Sequence, residues 1–237
     1  MTKHHYPYNQ EGIIVAIDGP AGAGKSTIAK ALALDLNYLY VDTGAMYRAV
    51  AYACALQNID GKNEESVRKV LENLEIEFVE KNSERAVFVN GIDVTDEIRN
   101  PNLYQILSAI SSQPIVRNFL LKKQRAFAER FSMVMEGRDI GTVVFPNATY
   151  KFFLTACPEV RAKRRFLEFK HKGIHRDEAL ILEEIKARDF QDQTREIAPL
   201  KKAEDSIEID SSLLNAEAVV HEMLYHIFKK EKVESSL

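Results

Sequence analysis

The sequence predicts an α/β fold with a central parallel sheet, and three observations lead to that prediction. A continuous apolar run at 13–17 comes directly before a glycine-rich turn, as expected of a strand that is buried on both faces. Further short apolar runs alternate along the chain with segments of helical period. The stretch 74–94 instead alternates with period two around an Asn90-Gly91 turn, which predicts a small antiparallel sheet inserted between helices.

The glycine-rich turn has the spacing of a phosphate-binding loop. Four residues separate Gly19 from Gly24-Lys25-Ser26, so successive backbone N–H groups can surround a phosphate, with the Lys25 amine at the β and γ oxygens and the Ser26 hydroxyl on Mg²⁺. The helical period of 25–36 places a helix N-terminus under the phosphates. A glycine-rich turn without a ligand is the alternative, but the flanking strand and helix favour a nucleotide site. Its residues are Gly19, Pro20, Ala21, Gly22, Ala23, Gly24, Lys25, Ser26 and Thr27.

Composition limits the classes of function. The chain has 237 residues, 46% of them hydrophobic, which is enough for one large core with smaller appendages. It has no apolar run of about 18 residues, so we expect no membrane span, and its net charge of −3 argues against a protein that mainly coats nucleic acid. Cys54 and Cys157 lie far apart, so we expect no disulfide framework and a cytoplasmic location.

The remaining periodicity predicts alternating strands and helices. The predicted strands are 38–41, 133–135, 150–154 and 206–210. The predicted helices are 45–57, capped by Thr43, then 64–73, 114–131, 176–192 and 215–228. The helix at 176–192 is expected to face inward with Ala179, Leu182, Ile185 and Ala187. The tail 229–237 is expected to fray.

Polar side chains follow two more predicted strands, at the edge where an open parallel sheet binds its ligands. One segment is 42–44, with Arg48 on the helix that follows it, and the other is 136–139. Planar guanidinium groups grip phosphate bidentately, so Arg48 and Arg138 predict a second anion site opposite the loop. Pairing of both arginines with nearby carboxylates is the alternative. Glu136 has two interpretations, as a residue that organises the water ligands of Mg²⁺ or as a cap.

Two later segments add charge. Arg161, Lys163, Arg164, Arg165, Lys170 and Lys172 make 161–172 a basic segment, which we interpret as a mobile lid over a transferring phosphoryl group or as a solvated helix face. On the helix predicted next, Arg188, Asp192 and Arg195 share one face. That face suits a ribose diol and a phosphate, or a surface row of ion pairs.

Together these features predict phosphoryl transfer from a nucleoside triphosphate to an acceptor that is already phosphorylated. The acceptor phosphate is itself a nucleophile, so no strong general base is needed. Catalysis then consists of positioning the two substrates and neutralising charge on the group that moves between them.

The chain resembles bacterial cytidylate kinases, a family of nucleoside monophosphate kinases, from Ile13 to about Val220. The matching segments are IDGPAGAGKST, VDTGAMYR, DVTDEIR, SAISSQPIVRNFLLKKQRAF, EGRDIGTVVFPNA and KARDFQDQTREIAPL. The resemblance implies transfer of the ATP γ-phosphate to CMP or dCMP with Mg²⁺, by a monomer of pyrimidine metabolism. It also implies a three-layer P-loop kinase core (12–43, 106–157 and 196–230), an acceptor-binding arm at about 44–105 with the small antiparallel sheet, and a mobile lid at about 158–175.

The resemblance assigns roles to individual residues. The residues that it implies for CMP are Thr43, Arg48, Ser108, Arg117, Arg138, Asp139, Arg188, Asp192 and Arg195. Those implied for the ATP phosphates, besides the loop, are Arg161 and Arg164. The catalytic set is Lys25, Arg138, Arg164 and Arg195, and the Mg²⁺ set is Ser26 and, through water, Glu136. Two positions depart from the family pattern, because Glu136 stands where members often have Asp and Gln191 stands where some have Arg.

Three other functions compete with this prediction. A kinase for UMP or for a small phosphorylated metabolite needs the same loop and the same anion site. A regulatory nucleotide switch is a different class, but the chain lacks the Asn-Lys-x-Asp motif that reads guanine. An RNA-binding module would use the basic segment, although the net negative charge argues against it.

Overall fold

The computed structural model describes residues 12–81 and 84–234. They form two compact units, of which the first combines the described residues up to Val41 with those from Phe127 onward, and the second lies within Asp42–Ala126. The second unit includes 106–126, which the family resemblance groups with the core. Among the described residues, no helix is long and apolar enough to cross a membrane.

A five-stranded sheet forms the centre of the first unit. Its strands are β1 (Ile14–Asp18), β2 (Leu39–Asp42), β6 (Met133–Gly137), β7 (Tyr150–Thr155) and β8 (Ile207–Asp210), in the order β2-β6-β1-β7-β8. Strand β1 pairs in parallel with both β6 and β7, and β7 pairs in parallel with β8. Asp18 lies opposite Gly137 and Phe153 in this register. The carboxyl ends of β1, β6 and β7 therefore meet at one edge, as the sequence predicted.

Four helices belong to the same unit as this sheet. The helices of the first unit are α1 (Lys25–Leu36), α6 (Pro158–His171), α7 (Glu178–Thr194) and α8 (Ala216–Glu234). Apolar residues of β1 and β7 form one continuous core with α1 and α8, including Ile17, Leu32, Phe152 and Met223. Helix α8 continues to Glu234. The expectation that the chain frays from residue 229 is therefore wrong for residues 229–234. Residues 235–237 lie outside the described residues.

Helices α6 and α7 pack against each other through a separate, smaller cluster of Ala162, Phe169, Ile181 and Ile185. The predicted inward set of α7 is therefore correct only in part. Ile185 is buried and Leu182 is half-buried, but Ala179 and Ala187 are exposed, and Ile181 is buried in their place. The reason is that the contact with α6 is narrow, so only side chains one turn apart, at 181 and 185, enter it.

The second unit contains the predicted antiparallel sheet. Its elements are α2 (Thr43–Leu56), α3 (Glu64–Glu72), β3 (Ile76–Lys81), β4 (Glu84–Val89), β5 (Ile92–Asp93), α4 (Tyr104–Ser111) and α5 (Pro114–Ala128), the last ending in the first unit. Strand β4 pairs antiparallel with β3 and β5. Asn90 and Gly91 both adopt positive φ, 50° and 78°, as the tight turn requires. The predicted turn between β3 and β4 includes 82–83, which lie outside the described residues.

One local prediction was wrong, and four short elements were not predicted. Thr43 does not cap α2, because the helix begins at Thr43 and the Asp42 carboxylate accepts a hydrogen bond from the Ala45 N–H at 2.9 Å. Helix α4 and two 3-10 turns, Glu97–Arg99 and Pro101–Leu103, were not predicted. Neither was the π-helical turn Ile140–Val144 after β6. These short elements have no clear hydrophobic period of their own.

Candidate active site

The turn between β1 and α1 has the backbone of an anion-binding loop. Gly22 adopts φ +77° and Gly24, which precedes α1, adopts φ +93°. Left-handed residues in such a turn direct successive N–H groups to one side. At Gly19 a Cβ would overlap the Leu154 carbonyl oxygen of β7, so the loop begins in close contact with the neighbouring strand. The N-terminus of α1 adds its positive dipole end.

Lys25 is buried at the start of α1, and its ammonium group donates a hydrogen bond to the Pro20 carbonyl oxygen at 2.7 Å. Burial, together with the charges of Arg138 and Arg188, lowers the pKa of Lys25 to about 7 against the opposing effect of Glu136 and Asp18. A bound polyphosphate supplies the negative charge that favours the ammonium form. The state of Lys25 is thus linked to occupation of the loop.

This linkage predicts uptake of a proton when a nucleoside triphosphate binds. Above about pH 7 the buried amine is neutral in the free protein, and binding must protonate it. The dissociation constant should therefore rise by up to about tenfold per pH unit between pH 8 and 9, where the phosphates no longer titrate. Isothermal titration at pH 8.5 in two buffers of different ionisation enthalpy measures the uptake directly. An affinity that is constant over this range would contradict the linkage.

Two buried carboxylates lie on the strands next to the loop. Both oxygens of Asp18 accept backbone hydrogen bonds, from Ile140 at 2.8 Å and Gly141 at 2.7 Å. Burial raises the pKa of Asp18 to about 6, although these two hydrogen bonds oppose the shift. Glu136 accepts a hydrogen bond from the Tyr40 hydroxyl at 2.6 Å.

Sequence reasoning missed Asp18, which fixes the turn that carries Arg138 and Asp139 next to the loop. The signal was available, because Asp18 is a carboxylate that ends an otherwise apolar strand.

The oxygen donors present suit magnesium. Among residues 12–81 and 84–234 there is no group of three or more His, Cys, Asp and Glu side chains that could hold a metal ion. Mg²⁺ does not need such a group, because it keeps several water ligands and binds through one or two protein oxygens together with substrate phosphates. Ser26 in the first turn of α1 and the buried Glu136 fit that pattern.

A second cluster, the arginine cluster, combines Arg138, Arg188 and Arg195 with Asp139 and Asp192. Arg138 Nε donates to Asp192 Oδ2 at 2.8 Å, and Arg188 and Arg195 approach Asp192 to 4.0 and 3.8 Å. Arg195 also lies 3.8 Å from Asp139. Burial raises the pKa of Asp192, but Arg138 and the other two arginines outweigh it, so the net pKa is lowered.

Three cations against two carboxylates leave this cluster able to accept an anion. Arg195 follows the end of α7 instead of lying on the predicted helical face. The arginine cluster lies in the first unit, as does the loop.

The two arginines predicted to lie over the ATP phosphates are held by protein groups in this structure. Arg161 is 3% exposed and forms a two-pronged ion pair with Asp189, at 3.0 and 2.6 Å. Arg164 donates to the hydroxyl and to the carbonyl oxygen of Ser211, at 3.0 and 2.6 Å. The other basic residues of the segment 161–172 are exposed, namely Lys163, Arg165, Lys170 and Lys172. The segment therefore has an inner side and a solvated side.

Four predicted CMP ligands lie in the second unit. Arg48 pairs with Asp42 at 2.9 Å, so in this structure both Arg48 and Arg138 have a carboxylate partner. Arg117 is buried, donates to the Ser111 carbonyl oxygen at 3.2 Å and lies 5.9 Å from the centre of the Tyr47 ring. Thr43 is buried and Ser108 is half-buried.

Comparison with known proteins gives consistent matches over most of the chain. The family model described as cytidylate kinase matches residues 15–229. A cytidylate kinase of Lactobacillus johnsonii is 45% identical over 218 residues, which are 92% of this chain and 95% of that protein. A cytidylate kinase of Halalkalibacterium halodurans is 45% identical over 219 residues, 92% of this chain and 98% of that protein. One of Bacillus thuringiensis is 45% identical over 212 residues, 90% of this chain and 94% of that protein.

Proposed function

The chain belongs to the cytidylate kinase family, and on that premise we propose that it transfers the γ-phosphate of ATP to CMP or dCMP. The observation that carries the proposal is that two groups suited to bind anions lie in one unit, at neighbouring strand ends. One is the glycine-rich turn after β1, and the other is the arginine cluster, whose Arg138 follows β6. A donor triphosphate and an acceptor monophosphate need two such sites.

The loop and Lys25 form the donor half. The backbone N–H groups of the loop and the N-terminus of α1 bind the β-phosphate, and Lys25 neutralises charge on the β and γ oxygens. Burial and neighbouring cations disfavour the ammonium form of Lys25 in the free protein, and the negative charge of bound phosphate restores it. The donor half therefore gains the positive charge of Lys25 when its nucleotide binds.

The arginine cluster forms the acceptor half. Arg138 and Arg195 bind the CMP phosphate, and Arg188 and Asp192 bind the ribose, as the family resemblance implies. The ion pairs of Arg138 and Arg195 with Asp192 hold these groups in place before the substrate arrives. Preorganised cations of this kind stabilise the charge that moves between donor and acceptor without reorganisation.

Recognition of cytosine is proposed for Asp139, Ser108 and Arg117. A carboxylate accepts a hydrogen bond from the exocyclic amine, and arginine and serine serve the ring carbonyl and nitrogen. Thr43 and Arg48 complete the acceptor site. The buried state of Asp139 and Arg117 supports this assignment, because buried polar groups discriminate strongly against a base that leaves them unpaired.

Magnesium completes the donor site in this proposal. Ser26 would bind the ion directly and Glu136 would hold it through water. Bound there, Mg²⁺ would neutralise part of the negative charge on the donor phosphates. Glu136 is held by the Tyr40 hydroxyl, which fixes the direction of its carboxylate.

A substrate panel tests the proposed reaction. ADP release from MgATP is measured with CMP, dCMP, UMP, AMP and GMP as acceptors, and CMP or dCMP should give the largest kcat/KM. Equal or greater turnover with AMP or GMP would overturn the assignment of a cytidylate acceptor. A clear preference for UMP would instead favour the rival uridylate kinase.

We also propose that the protein acts as a monomer in the cytoplasm. Both cysteines are free thiols in the structure, with Cys54 buried and Cys157 exposed, which is compatible with a reducing compartment. Light scattering of the purified protein and fractionation of the source cells test the two statements separately.

A further inference from the structure

The outer side of the phosphate loop is held by side chains from other parts of the first unit. Arg161 of α6 donates through Nη1 to the Ala21 carbonyl oxygen at 3.0 Å, across 140 residues of sequence. The Ser211 hydroxyl lies 3.1 Å from the Ala23 carbonyl oxygen, across 188 residues, and 3.0 Å from the Thr155 carbonyl oxygen, so its single proton is shared between the two. Arg161 and Ser211, which we call the outer brace, are each 3% exposed.

The outer brace determines where two loop N–H groups point. In a planar trans peptide the C=O and N–H bonds point in opposite directions. A hydrogen bond that holds the Ala21 carbonyl outward therefore turns the Gly22 N–H inward, and the same holds for Ala23 and Gly24. These are N–H groups of the turn that would cradle the β-phosphate.

Arg161 is itself fixed on all sides. Its Nε donates to the Ala156 carbonyl oxygen at 2.8 Å, and its other nitrogens form the ion pair with Asp189 of α7. A Cβ at Gly22 would come within 3.2 Å of the Arg161 Cβ, so the glycine permits this close approach. With four donated hydrogen bonds to protein atoms, Arg161 is suited to hold the loop rather than to bind phosphate directly.

We propose that Arg161 is a positioning residue, which acts on the nucleotide by orienting the Ala21–Gly22 peptide, with Ser211 doing the same for Ala23–Gly24. The inference rests on the proposed function in that the loop binds the phosphates of ATP. It departs from the role that the family resemblance implies for Arg161, which is contact with the ATP phosphates. A positioning role should affect binding of the β-phosphate, which ADP and ATP share, whereas direct contact with the γ-phosphate should affect ATP alone.

Binding of ADP and ATP separates the two roles. Arg161→Met keeps the length of the side chain and removes the guanidinium group. Because the loop cradles the β-phosphate, the variant should raise the dissociation constants of MgADP and MgATP by the same factor, about tenfold. Binding of CMP should stay within about twofold. Isothermal titration of each nucleotide gives these values without turnover, so an inactive wild-type protein would contradict the proposed function and still allow the test.

A matched control lies in the connection between α6 and α7. Arg176 forms an ion pair with Glu184 of α7 and stacks near Phe169 of α6. Arg176→Met removes the same charge there, and we expect no change in ADP affinity.

Ser211→Ala tests the brace independently, and it should weaken ADP and ATP about threefold, as for one neutral hydrogen bond. If Arg161→Met does not fold, Ser211→Ala still tests the brace. The double variant Arg161→Met/Asp189→Asn can then replace Arg161→Met, because it does not leave the Asp189 carboxylate without its partner.

Each outcome decides the proposal. Weakening of ATP with unchanged ADP would show that Arg161 contacts the γ-phosphate, which overturns it. Unchanged affinity for both nucleotides in a folded variant overturns it as well. A loss of CMP affinity equal to the loss of ADP affinity would indicate general damage to the site, and this also contradicts a positioning role. Equal weakening of ADP and ATP alone, in Arg161→Met and Ser211→Ala, supports it.

Discussion

Replacing Lys25 with methionine is expected to lower kcat for CMP by about 10³-fold, while the dissociation constant of CMP changes by less than about threefold. The reason is that Lys25 is proposed to serve the donor phosphates, and the arginine cluster is proposed to bind the acceptor phosphate. Methionine fills nearly the same volume, so the buried site should not collapse. Rapid-quench or coupled assays give kcat, and titration with CMP gives its affinity.

The control for this variant is Lys202→Met. Lys202 pairs with Glu208 at the surface, so the change removes one charge without touching the site. Loss of both turnover and CMP binding in a folded Lys25→Met protein would contradict the division into donor and acceptor halves. The methionine variant should also lose the proton uptake expected of the wild-type protein above pH 7, because it has no amine to protonate.

Replacing Asp139 with asparagine is expected to lower kcat/KM for CMP about 30-fold more than for UMP. The carboxylate accepts from the cytosine amine, whereas uracil presents a carbonyl at the same position. An asparagine amide presents either an oxygen or an N–H₂ group, so it loses the strict preference for a donor. Steady-state kinetics with both acceptors give the ratio.

The structure offers a second role for Asp139, and the same variant distinguishes it. Asp139 lies 3.8 Å from Arg195, so it also helps to orient a group proposed to bind the acceptor phosphate. If orientation of Arg195 were its main role, CMP and UMP would lose activity by the same factor. Glu208→Gln on β8 is a suitable control, since Glu208 pairs with Lys202 at the surface.

Much of the fold was predictable because its signals are local. The loop and helix α1 were predicted at their observed positions, since spacing of glycines and apolar residues within about twenty residues specifies them. The antiparallel sheet followed from period two and from Asn90-Gly91. The strand order β2-β6-β1-β7-β8 was not predictable in this way, because it depends on pairing between residues far apart in the sequence, such as Ile14 with Met133 and Phe152 with Ile207.

The candidate site also has features that local sequence predicts and features that only long-range packing decides. Sequence alone predicted that a nucleotide binds at Gly19–Thr27, that arginines follow the other strands, and that a cytidylate kinase is the family to expect. Only the tertiary structure decided which charges are buried and what they contact. Arg161 looked like one member of an exposed basic segment, yet it is buried against Ala21 and Asp189.

The physical reason lies in the range of the interactions. Backbone conformation depends on neighbouring residues, so a phosphate loop can be recognised from its own spacing. The role of a charged side chain depends on its burial and on partners brought to it by the fold, such as Asp18 with Ile140 or Arg161 with Ala21. Sequence thus predicted a loop that binds nucleotide phosphate, and tertiary structure decided which side chains contact that loop.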